Sequence, residues 1–320
     1  MVKKIVNEKL VVVVAEDGTG DFSSIQDAVD SLPPRSGRIS IKDGLYRISS
    51  TISVTSSNVS LEGVGSATKI FVEDGSNADA ITVGDGVKAY SNIVIRNIQI
   101  DGNGANQTSA GHGIVFKGNI SHSKIEDCWI HSCYGDGIHL EGGSNNNTIL
   151  NNSSISSFRH CGILLDGCKD NLVSTNQFNS NYSSGIRLDN VCSNNVVVEN
   201  QCNSNGLEGI DIVQSTSNTV SNNQCNSNVR HGIYSDGSND NTINGNTCID
   251  NDVNNTLTYD GIHLKSSSNN LVVGNRCQDK GVCGLLQRAR IKEVKGEKLG
   301  RYSNELRTDA RSNIEYGKRG

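Results

Sequence analysis

Two neighbouring stretches of the chain carry the pattern that decides the fold. Residues 185–208 read GIRLDNVCSNNVVVENQCNSNGLE, and residues 209–231 read GIDIVQSTSNTVSNNQCNSNVRH. Both contain, in the same order, Gly-Ile, an Asn ahead of a short strand-like stretch, and the hexapeptide NQCNSN. The two stretches are therefore consecutive copies of one structural unit.

The unit recurs along most of the chain. The Gly-Ile pair begins at Gly113, Gly137, Gly162, Gly185, Gly209, Gly232 and Gly261, with a Gly-Leu at Gly284. Two Asn positions keep the same register. The first Asn column contains Asn147, Asn171, Asn195, Asn218, Asn241 and Asn270. The second Asn column contains Asn152, Asn176, Asn200, Asn223, Asn246 and Asn275.

Each unit holds about three short strand-like stretches separated by Gly, Asn, Ser or Asp. A strand of three to five residues cannot bury its inward side chains alone, but identical strands stacked about 4.8 Å apart form parallel sheets around a shared core. The repeat predicts an all-β fold, a right-handed parallel β-helix with about one coil per unit. Asn columns at its turns are expected to form ladders of amide hydrogen bonds between coils.

Composition agrees with a parallel β-helix and argues against a helical bundle and a membrane-spanning protein. The 320 residues include 34 Gly, 40 Asn and only 2 Pro, which argues against a helical bundle, and no apolar run is long enough to cross a bilayer. The net charge is −5, and residues 286–320 carry ten Lys/Arg against five Asp/Glu, which leaves −10 for the body. An acidic body is a poor surface for nucleic acid and a better one for a cation or a sugar. We therefore expect neither a nucleic-acid partner nor a membrane partner.

The cysteines follow the repeat. Four of the ten occupy one repeat position, where the preceding unit has Phe178; these four, the cysteine column, are Cys202, Cys225, Cys248 and Cys277. A position filled by Phe or Cys is expected to face the core, so we interpret these thiols as structural rather than as metal ligands or disulfides.

The N-terminal region predicts a cap. The apolar stretch 10–15 is too short for a signal peptide and predicts a strand. Residues 23–26 match a helix capping box, and Ile25, Ala28, Val29 and Leu32 follow with helical spacing. We predict a strand and capping helix in residues 1–36, about ten coils in residues 37–286, and a basic tail or cap in residues 287–320. The sequence does not decide the compartment. A cytoplasmic protein, a virion-associated protein, and an exported protein whose leader has been removed are all compatible with it.

The first part of the chain also resembles a known superfamily. Residues 11–33 (VVVVAEDGTGDFSSIQDAVDSLP), 37–48 (GRISIKDGLYRI) and 61–70 (LEGVGSATKI) resemble the opening of pectinesterases and of pectate-lyase-type β-helix proteins. The later repeats resemble those of alginate-epimerase-like and phage tailspike-like proteins. The resemblance implies a pectin-lyase-like fold, but the residue sets of pectinesterases and polygalacturonases are missing. Activity therefore has to be argued from positions on the coils.

Two columns beside Gly-Ile are expected to face outward and change chemistry from coil to coil. The position before Gly reads His112, Asp136, Cys161, Ser184, Glu208, His231 and Asp260. The position after Ile reads Val115, His139, Leu164, Arg187, Asp211, Tyr234 and His263. Stacking of three adjacent coils predicts a catalytic patch of Arg187, Glu208, Asp211, His231 and Tyr234. A carboxylate, a His and a Tyr near an Arg suit glycoside cleavage or removal of the C5 proton of a uronate. An ordinary polar outer face is the alternative.

The tetrapeptide Asp-Gly-Ile-His marks a second choice of site. It occurs at 136–139 and 260–263, so that Asp136, His139, Asp260 and His263 are candidates about five coils, or about 24 Å, apart. The repeat from Gly232 to Gly261 is longer than the others, and its extra residues predict a loop over His263. A further column, Glu141, Asp166, Asp189, Val213, Asp236 and Lys265, is mostly acidic, which makes Ca²⁺ possible, although turn capping by Asp is the commoner cause. No other cofactor is indicated.

The sequence thus favours a protein that processes or binds an acidic, uronate-containing polysaccharide, as a lyase, epimerase or glycosidase if it is an enzyme. The alternative is a structural component of a virion, tail or surface, with the β-helix as a rigid rod. A monomer and a homotrimer are both compatible with the sequence.

Overall fold

The structure is a computed structural model. It describes residues 10–33, 36–109, 111–155 and 157–278, and the backbone of three later strands at 285–287, 291–295 and 298–299. Most of the predicted basic tail, and Cys283, lie outside the described residues. Among the described residues, no helix is long and apolar enough to cross a membrane.

Two long parallel sheets make up most of the structure. We call the 10-stranded one the Gly-Ile sheet, because most of its strands begin at the Ile of that motif. Its strands are Ile52–Val54, Ile81–Val83, Ile114–Phe116, Ile138–Leu140, Ile163–Asp166, Ile186–Asp189, Ile210–Val213, Ile233–Asp236, Ile262–Lys265 and Leu285–Gln287.

The second sheet has 15 strands and contains the stretches that follow the first Asn column. Its strands are Val11–Val14, Gly37–Ile41, Gly44–Ile48, Val59–Val72, Val94–Asp101, Lys124–Glu126, Trp129–His131, Thr148–Leu150, Ser153–Ile155, Leu172–Ser174, Val196–Val198, Thr219–Ser221, Thr242–Asn244, Asn270–Val273 and Ile291–Lys295.

The remaining elements are short. A third sheet contains Thr247–Ile249, Arg276–Gln278 and Lys298–Leu299, a pair of strands contains Tyr90–Ser91 and Ile120–Ser121, and a 3₁₀ turn covers Gly104–Asn106. Parallel pairing between each strand and its counterpart one unit later confirms the predicted all-β solenoid. The fold is a right-handed parallel β-helix.

Each Gly-Ile pair is explained by how closely the coils pack. In the Gly-Ile sheet, Ile186, Ile210 and Ile233 are in register and fully buried. A Cβ on Gly185 would lie 2.8 Å from the backbone oxygens of Gly209 and Phe178, too close for any side chain. Gly is therefore required where the chain enters this sheet, and Ile fills the core behind it.

The Asn columns form the predicted ladders. Asn195 is buried; its side-chain oxygen accepts from the Asn171 backbone N–H (3.0 Å), and its Nδ2 donates to Cys168 O (2.9 Å) and Asn218 Oδ1 (3.0 Å). The second column repeats the pattern one turn later, as at Asn200. These amides satisfy buried backbone groups at the turns, where no sheet partner is available.

The cysteine column is buried, which confirms its predicted core position. Its four members are at most 2% exposed, and Phe178 is fully buried in the same column. The nine described cysteines are buried and are not joined in disulfides.

The capping helix exists but begins one residue later than predicted. It spans Ile25–Asp30, and its N-cap is Ser24, whose hydroxyl accepts from the Asp27 backbone N–H at 3.2 Å. The predicted box assigned that role to Ser23. Ile25 and Ala28 are buried, and Val29 and Leu32 pack partly buried against the core, so the helix covers the end of the β-helix as expected.

Candidate functional site

The outward column of the Gly-Ile sheet forms one continuous row. Cα pairing places Arg187 beside Asp211, Asp211 beside Tyr234, and Tyr234 beside His263. Pairing on the other side extends the row through Leu164 to His139. Parallel strands lie about 4.8 Å apart, so adjacent members of the row are in reach of one another.

Burial of the predicted patch differs from expectation. The sequence predicts outward, solvent-facing side chains, but Glu208 and Asp211 are each only 5% exposed and His231 is 6% exposed. Asp211 is paired on one side with Arg187 and on the other with Tyr234 at a strand spacing of about 4.8 Å, which restricts the access of water to its carboxyl. Three of the five patch residues are therefore desolvated titratable groups, while Arg187 and Tyr234 are half-buried.

Arg187 and Asp211 form the first part of the patch. Arg187 Nη1 lies 3.2 Å from Asp211 Oδ2, and Arg187 Nη2 lies 2.7 Å from Asp189 Oδ2. Asp211 Oδ1 is buried without a hydrogen-bond partner among the described residues. Burial raises the pKa of Asp211 to about 7 and outweighs the opposing attraction of Arg187. Asp211 can therefore exchange a proton near neutral pH.

Glu208 lies on the same coil as Asp211. Its pKa is raised by burial, against the attraction of Arg230, whose Nη1 lies 3.7 Å from Glu208 Oε1. Ser184 on the preceding coil is 3.5 Å from the other carboxylate oxygen. Two buried carboxyls with raised pKa values thus flank the Gly209-Ile210 pair.

His231 is held neutral. The Asp260 backbone N–H donates to His231 Nδ1 at 2.9 Å, so this nitrogen carries the lone pair and Nε2 carries the proton. Burial, and then the nearby His263, lower the pKa of His231 to about 3. The ring stacks on Tyr234 with centroids 5.2 Å apart and planes 7° apart. His231 therefore positions its neighbours rather than accepting a proton.

Asp260 and His263 form a hydrogen-bonded acid–base pair. His263 Nδ1 lies 2.9 Å from Asp260 Oδ2, so in the neutral ring Nδ1–H donates to the carboxylate. This assignment leaves the lone pair on Nε2, which can accept a proton while Asp260 holds the ring in this orientation. The geometry is that of a general base oriented by an Asp.

Tyr234 contacts both His231 and His263, whose rings also contact each other with centroids 4.5 Å apart. Its ring centroid is 5.6 Å from that of His263, and its hydroxyl donates to Asp236 Oδ2 at 3.1 Å. Burial and the Asp236 charge raise the pKa of Tyr234, so the phenol keeps its proton at neutral pH. Lys265 Nζ donates to the same Asp236 oxygen at 2.9 Å and brings an exposed cation next to the phenol.

The loop in the long repeat, between Gly232 and Gly261, packs against His231. Asp252 holds the loop by accepting from the backbone N–H of Thr256 (3.0 Å) and of Leu257 (2.6 Å). Tyr259 packs edge-on against His231 with ring centroids 5.0 Å apart, and Arg230 lies over the Tyr259 ring. The loop was predicted to lie over His263; the ring contact that it makes is with His231.

The second-choice residues Asp136 and His139 lie in a similar arrangement five coils away. The Asp136 backbone N–H donates to His112 Nδ1 at 2.9 Å, as Asp260 does to His231. Asp136 Oδ2, however, is 3.6 Å from His139 Nδ1, beyond hydrogen-bond reach. The two Asp-Gly-Ile-His copies thus share the hydrogen bond from the Asp backbone N–H to the preceding His. They differ in the Asp–His side-chain pair, which is hydrogen-bonded, or closed, only in the second copy.

Sequence reasoning placed His231 in the patch but missed its contact with Asp260, and it missed His112 and the residues of the long loop. His112 and His231 each stand before Gly one unit ahead of an Asp-Gly-Ile-His copy. That recurrence could have indicated that each His contacts the Asp of the following Asp-Gly-Ile-His copy. Tyr259 and Asp252 carry no comparable signal, because loop conformation is not set by the repeat.

Three carboxylates of the acidic column contact other side chains of the protein. Asp189 pairs with Arg187, Asp236 pairs with Lys265, and Asp166 Oδ1 accepts from Asn190 Nδ2 at 2.5 Å. The Asp236–Lys265 and Asp166–Asn190 contacts join adjacent coils, whereas the Asp189–Arg187 pair lies within one strand. The clusters that offer several close metal-ligand atoms among the described residues are instead His112–Asp136–His139 and His231–Asp260–His263.

Comparisons with known proteins agree with the fold. A family model described as a right-handed β-helix region matches residues 145–248, and the pectinesterase model matches residues 11–139. A search of the curated proteins finds no significant match.

Three solved structures illustrate the likeness. The mannuronan C-5 epimerase AlgE6 A-module of Azotobacter vinelandii has 21% identity and a TM-score of 0.67, over 89% of this chain and 92% of that one. The ORF18 protein of Geobacillus virus E2 has 16% identity and a TM-score of 0.71, over 93% and 63%. The enzymatically active domain of bacteriophage CBA120 tailspike protein 2 has 18% identity and a TM-score of 0.63, over 84% and 44%.

These matches define the class of protein. The chain has the right-handed parallel β-helix fold of the pectin-lyase-like superfamily, with the N-terminal part matching the pectinesterase model and the regular coils matching the β-helix model.

Proposed function

We propose that the protein is an enzyme that acts on an acidic, uronate-containing polysaccharide by removing the proton from C5 of a uronate. The observation that carries this proposal is the Asp260–His263 pair, closed at 2.9 Å, beside a phenol that keeps its proton. The similarity to mannuronan C-5 epimerase modules supports the same substrate class.

Four side chains have separate roles in the proposed reaction. His263 Nε2 takes the C5 proton, while Asp260 stabilises the imidazolium that results. Lys265, next to Tyr234, neutralises the uronate carboxylate, on which negative charge accumulates as the proton leaves. Tyr234 then supplies a proton, either to the opposite face of C5, which gives epimerisation, or to the departing O4, which gives chain cleavage by elimination.

Arg187 and Asp211 serve a neighbouring sugar unit. Arg187 is three coils from His263, about 14 Å, which is too far to contact the reacting uronate. Its guanidinium contacts Asp189 at 2.7 Å and Asp211 at 3.2 Å, and protonation of Asp211, whose pKa is about 7, frees that side of the guanidinium for a second carboxylate of the polymer. Several uronate units would then lie along the Gly-Ile sheet.

Activity assays on a panel of uronate polymers test this proposal. Unsaturated products are read by ultraviolet absorbance and changes of sugar configuration by nuclear magnetic resonance. His263→Gln and Tyr234→Phe should each lower the rate about 10²–10⁴-fold. Thr242→Ser, on the outer face of the 15-stranded sheet, is the matched control and should keep full activity. Full activity in both site variants, or none in the wild type on any polymer, would overturn the proposal and favour a structural rod.

A further inference from the structure

The His112 cluster, consisting of His112, Asp136 and His139, is not used by the proposed reaction. It lies on the same face as His263 but five coils, about 24 Å, away. Each of the three side chains offers one ligand atom, and these atoms all lie within 4.8 Å of one another. The cluster therefore needs an explanation of its own.

Three of its polar atoms are buried and unpaired. Asp136 is 1% exposed, and its Oδ2 has no hydrogen-bond partner among the described residues; the same holds for Nδ1 and Nε2 of His139. A buried polar atom without a partner costs about 1–3 kcal/mol, and native structures contain few of them. Three such atoms in one place indicate a ligand that the protein itself does not supply.

The equivalent cluster shows that the missing Asp–His hydrogen bond is specific to the His112 cluster. In His231–Asp260–His263 the Asp–His distance is 2.9 Å, and the pair is closed by a hydrogen bond. In the His112 cluster the corresponding distance is 3.6 Å, and no hydrogen bond forms. The scaffold is the same in both, because the Asp backbone N–H donates to the preceding His at 2.9 Å in each.

We propose that the His112 cluster binds a divalent transition-metal ion, with Zn²⁺ as the representative case. Ligands about 2.1 Å from a tetrahedral ion lie about 3.4 Å from each other. Asp136 Oδ2 is 3.3 Å from His112 Nδ1 and 3.6 Å from His139 Nδ1, which are separations that suit this geometry. Two imidazoles and one carboxylate are ligands typical of Zn²⁺, Co²⁺ or Ni²⁺ and not of Ca²⁺ or Mg²⁺.

The three ligands contribute unequally. Asp136 Oδ2 and His139 Nδ1 are unpaired and gain a partner outright. His112 Nδ1 exchanges the hydrogen bond from the Asp136 backbone N–H for the metal, which weakens its contribution. The fourth position is open to water or to His160, an exposed ring whose centroid is 6.4 Å from that of His112.

Metal titration of the full chain after chelator treatment tests the proposal. Co²⁺ is followed by visible absorption, which is intense for tetrahedral sites, and Zn²⁺ by calorimetry and by the rise in melting temperature. The expected result is one ion per chain, with affinity at least about 10-fold weaker in His139→Ala and in Asp136→Asn. Asp136→Asn keeps an oxygen for the Cys161 backbone N–H, so it tests the ligand even if His139→Ala folds poorly.

His263→Ala is the matched control, because it alters the closed cluster on the same scaffold. Unchanged binding in His263→Ala together with loss in Asp136→Asn supports the proposed site. No binding by the wild type, unchanged binding in Asp136→Asn, or loss only in His263→Ala would each overturn it. None of these outcomes depends on activity, so the proposed function is tested separately.

Discussion

Removing one rung of an Asn ladder should destabilise the protein far more than a surface change. In Asn195→Ala, the Asn171 backbone N–H loses its acceptor, and three further side-chain hydrogen bonds, to Asn171 Nδ2, Cys168 O and Asn218 Oδ1, are lost. The orphaned N–H costs about 1–3 kcal/mol and each other bond about 0.5–1.5 kcal/mol. The free energy of unfolding should fall by roughly 3–7 kcal/mol.

Urea denaturation followed by far-ultraviolet circular dichroism measures this loss. Asn254→Ala is the matched control, because Asn254 is exposed in the long loop, and its effect should stay within about 0.5 kcal/mol. A loss below about 1 kcal/mol in Asn195→Ala would refute the view that the ladder amides satisfy the buried turns.

Three further predictions address the core, the cap and the acidic patch. The cysteine column should resist a thiol reagent in the native protein and react fully in denaturant, since burial keeps the thiols from reagent and solvent; rapid native labelling would contradict its core position. Ala28→Asp should cost several kcal/mol or cause aggregation, because it places a charge in the fully buried face of the capping helix, whereas the exposed Asp30→Ala should change the melting temperature little. Asp211 has a pKa of about 7 when folded against an ordinary value of 3.8, so the folded state holds its proton more tightly, and this contribution to stability is lost as pH rises through about 7. Asp211→Asn should therefore be less sensitive than the wild type to a pH increase from about 5 to 8, and equal slopes of melting temperature against pH would contradict the raised pKa.

The repeat made the fold predictable in unusual detail. Gly-Ile at one strand and Asn at two turns recur in fixed register, so the core columns, the ladders and the buried cysteine column all follow from position alone. The capping helix was placed from its apolar stripe, but its N-cap was off by one residue. Ser23 and Ser24 have the same chemistry, so only backbone geometry distinguishes them.

The site was less predictable because it depends on distances that the repeat does not set. Register placed Arg187, Asp211 and Tyr234 in one row, as expected. It gave no indication that Asp211 is desolvated, nor that the Asp260–His263 pair is closed while its copy is open, since each depends on side-chain packing between coils. The conformation of the long loop, which brings Tyr259 against His231, is likewise set by Asp252 rather than by the repeat.

Exchange of the C5 proton with solvent is the most direct test of the proposed reaction. A uronate polymer incubated with the protein in deuterium oxide should acquire deuterium at C5, or yield unsaturated ends, because removal of this proton is common to epimerisation and elimination. His263→Gln should abolish the exchange, and Thr242→Ser should retain it. Wild-type protein that leaves C5 undeuterated and intact in every uronate polymer, or a His263→Gln variant that exchanges at the wild-type rate, would contradict the assignment of His263 as the base.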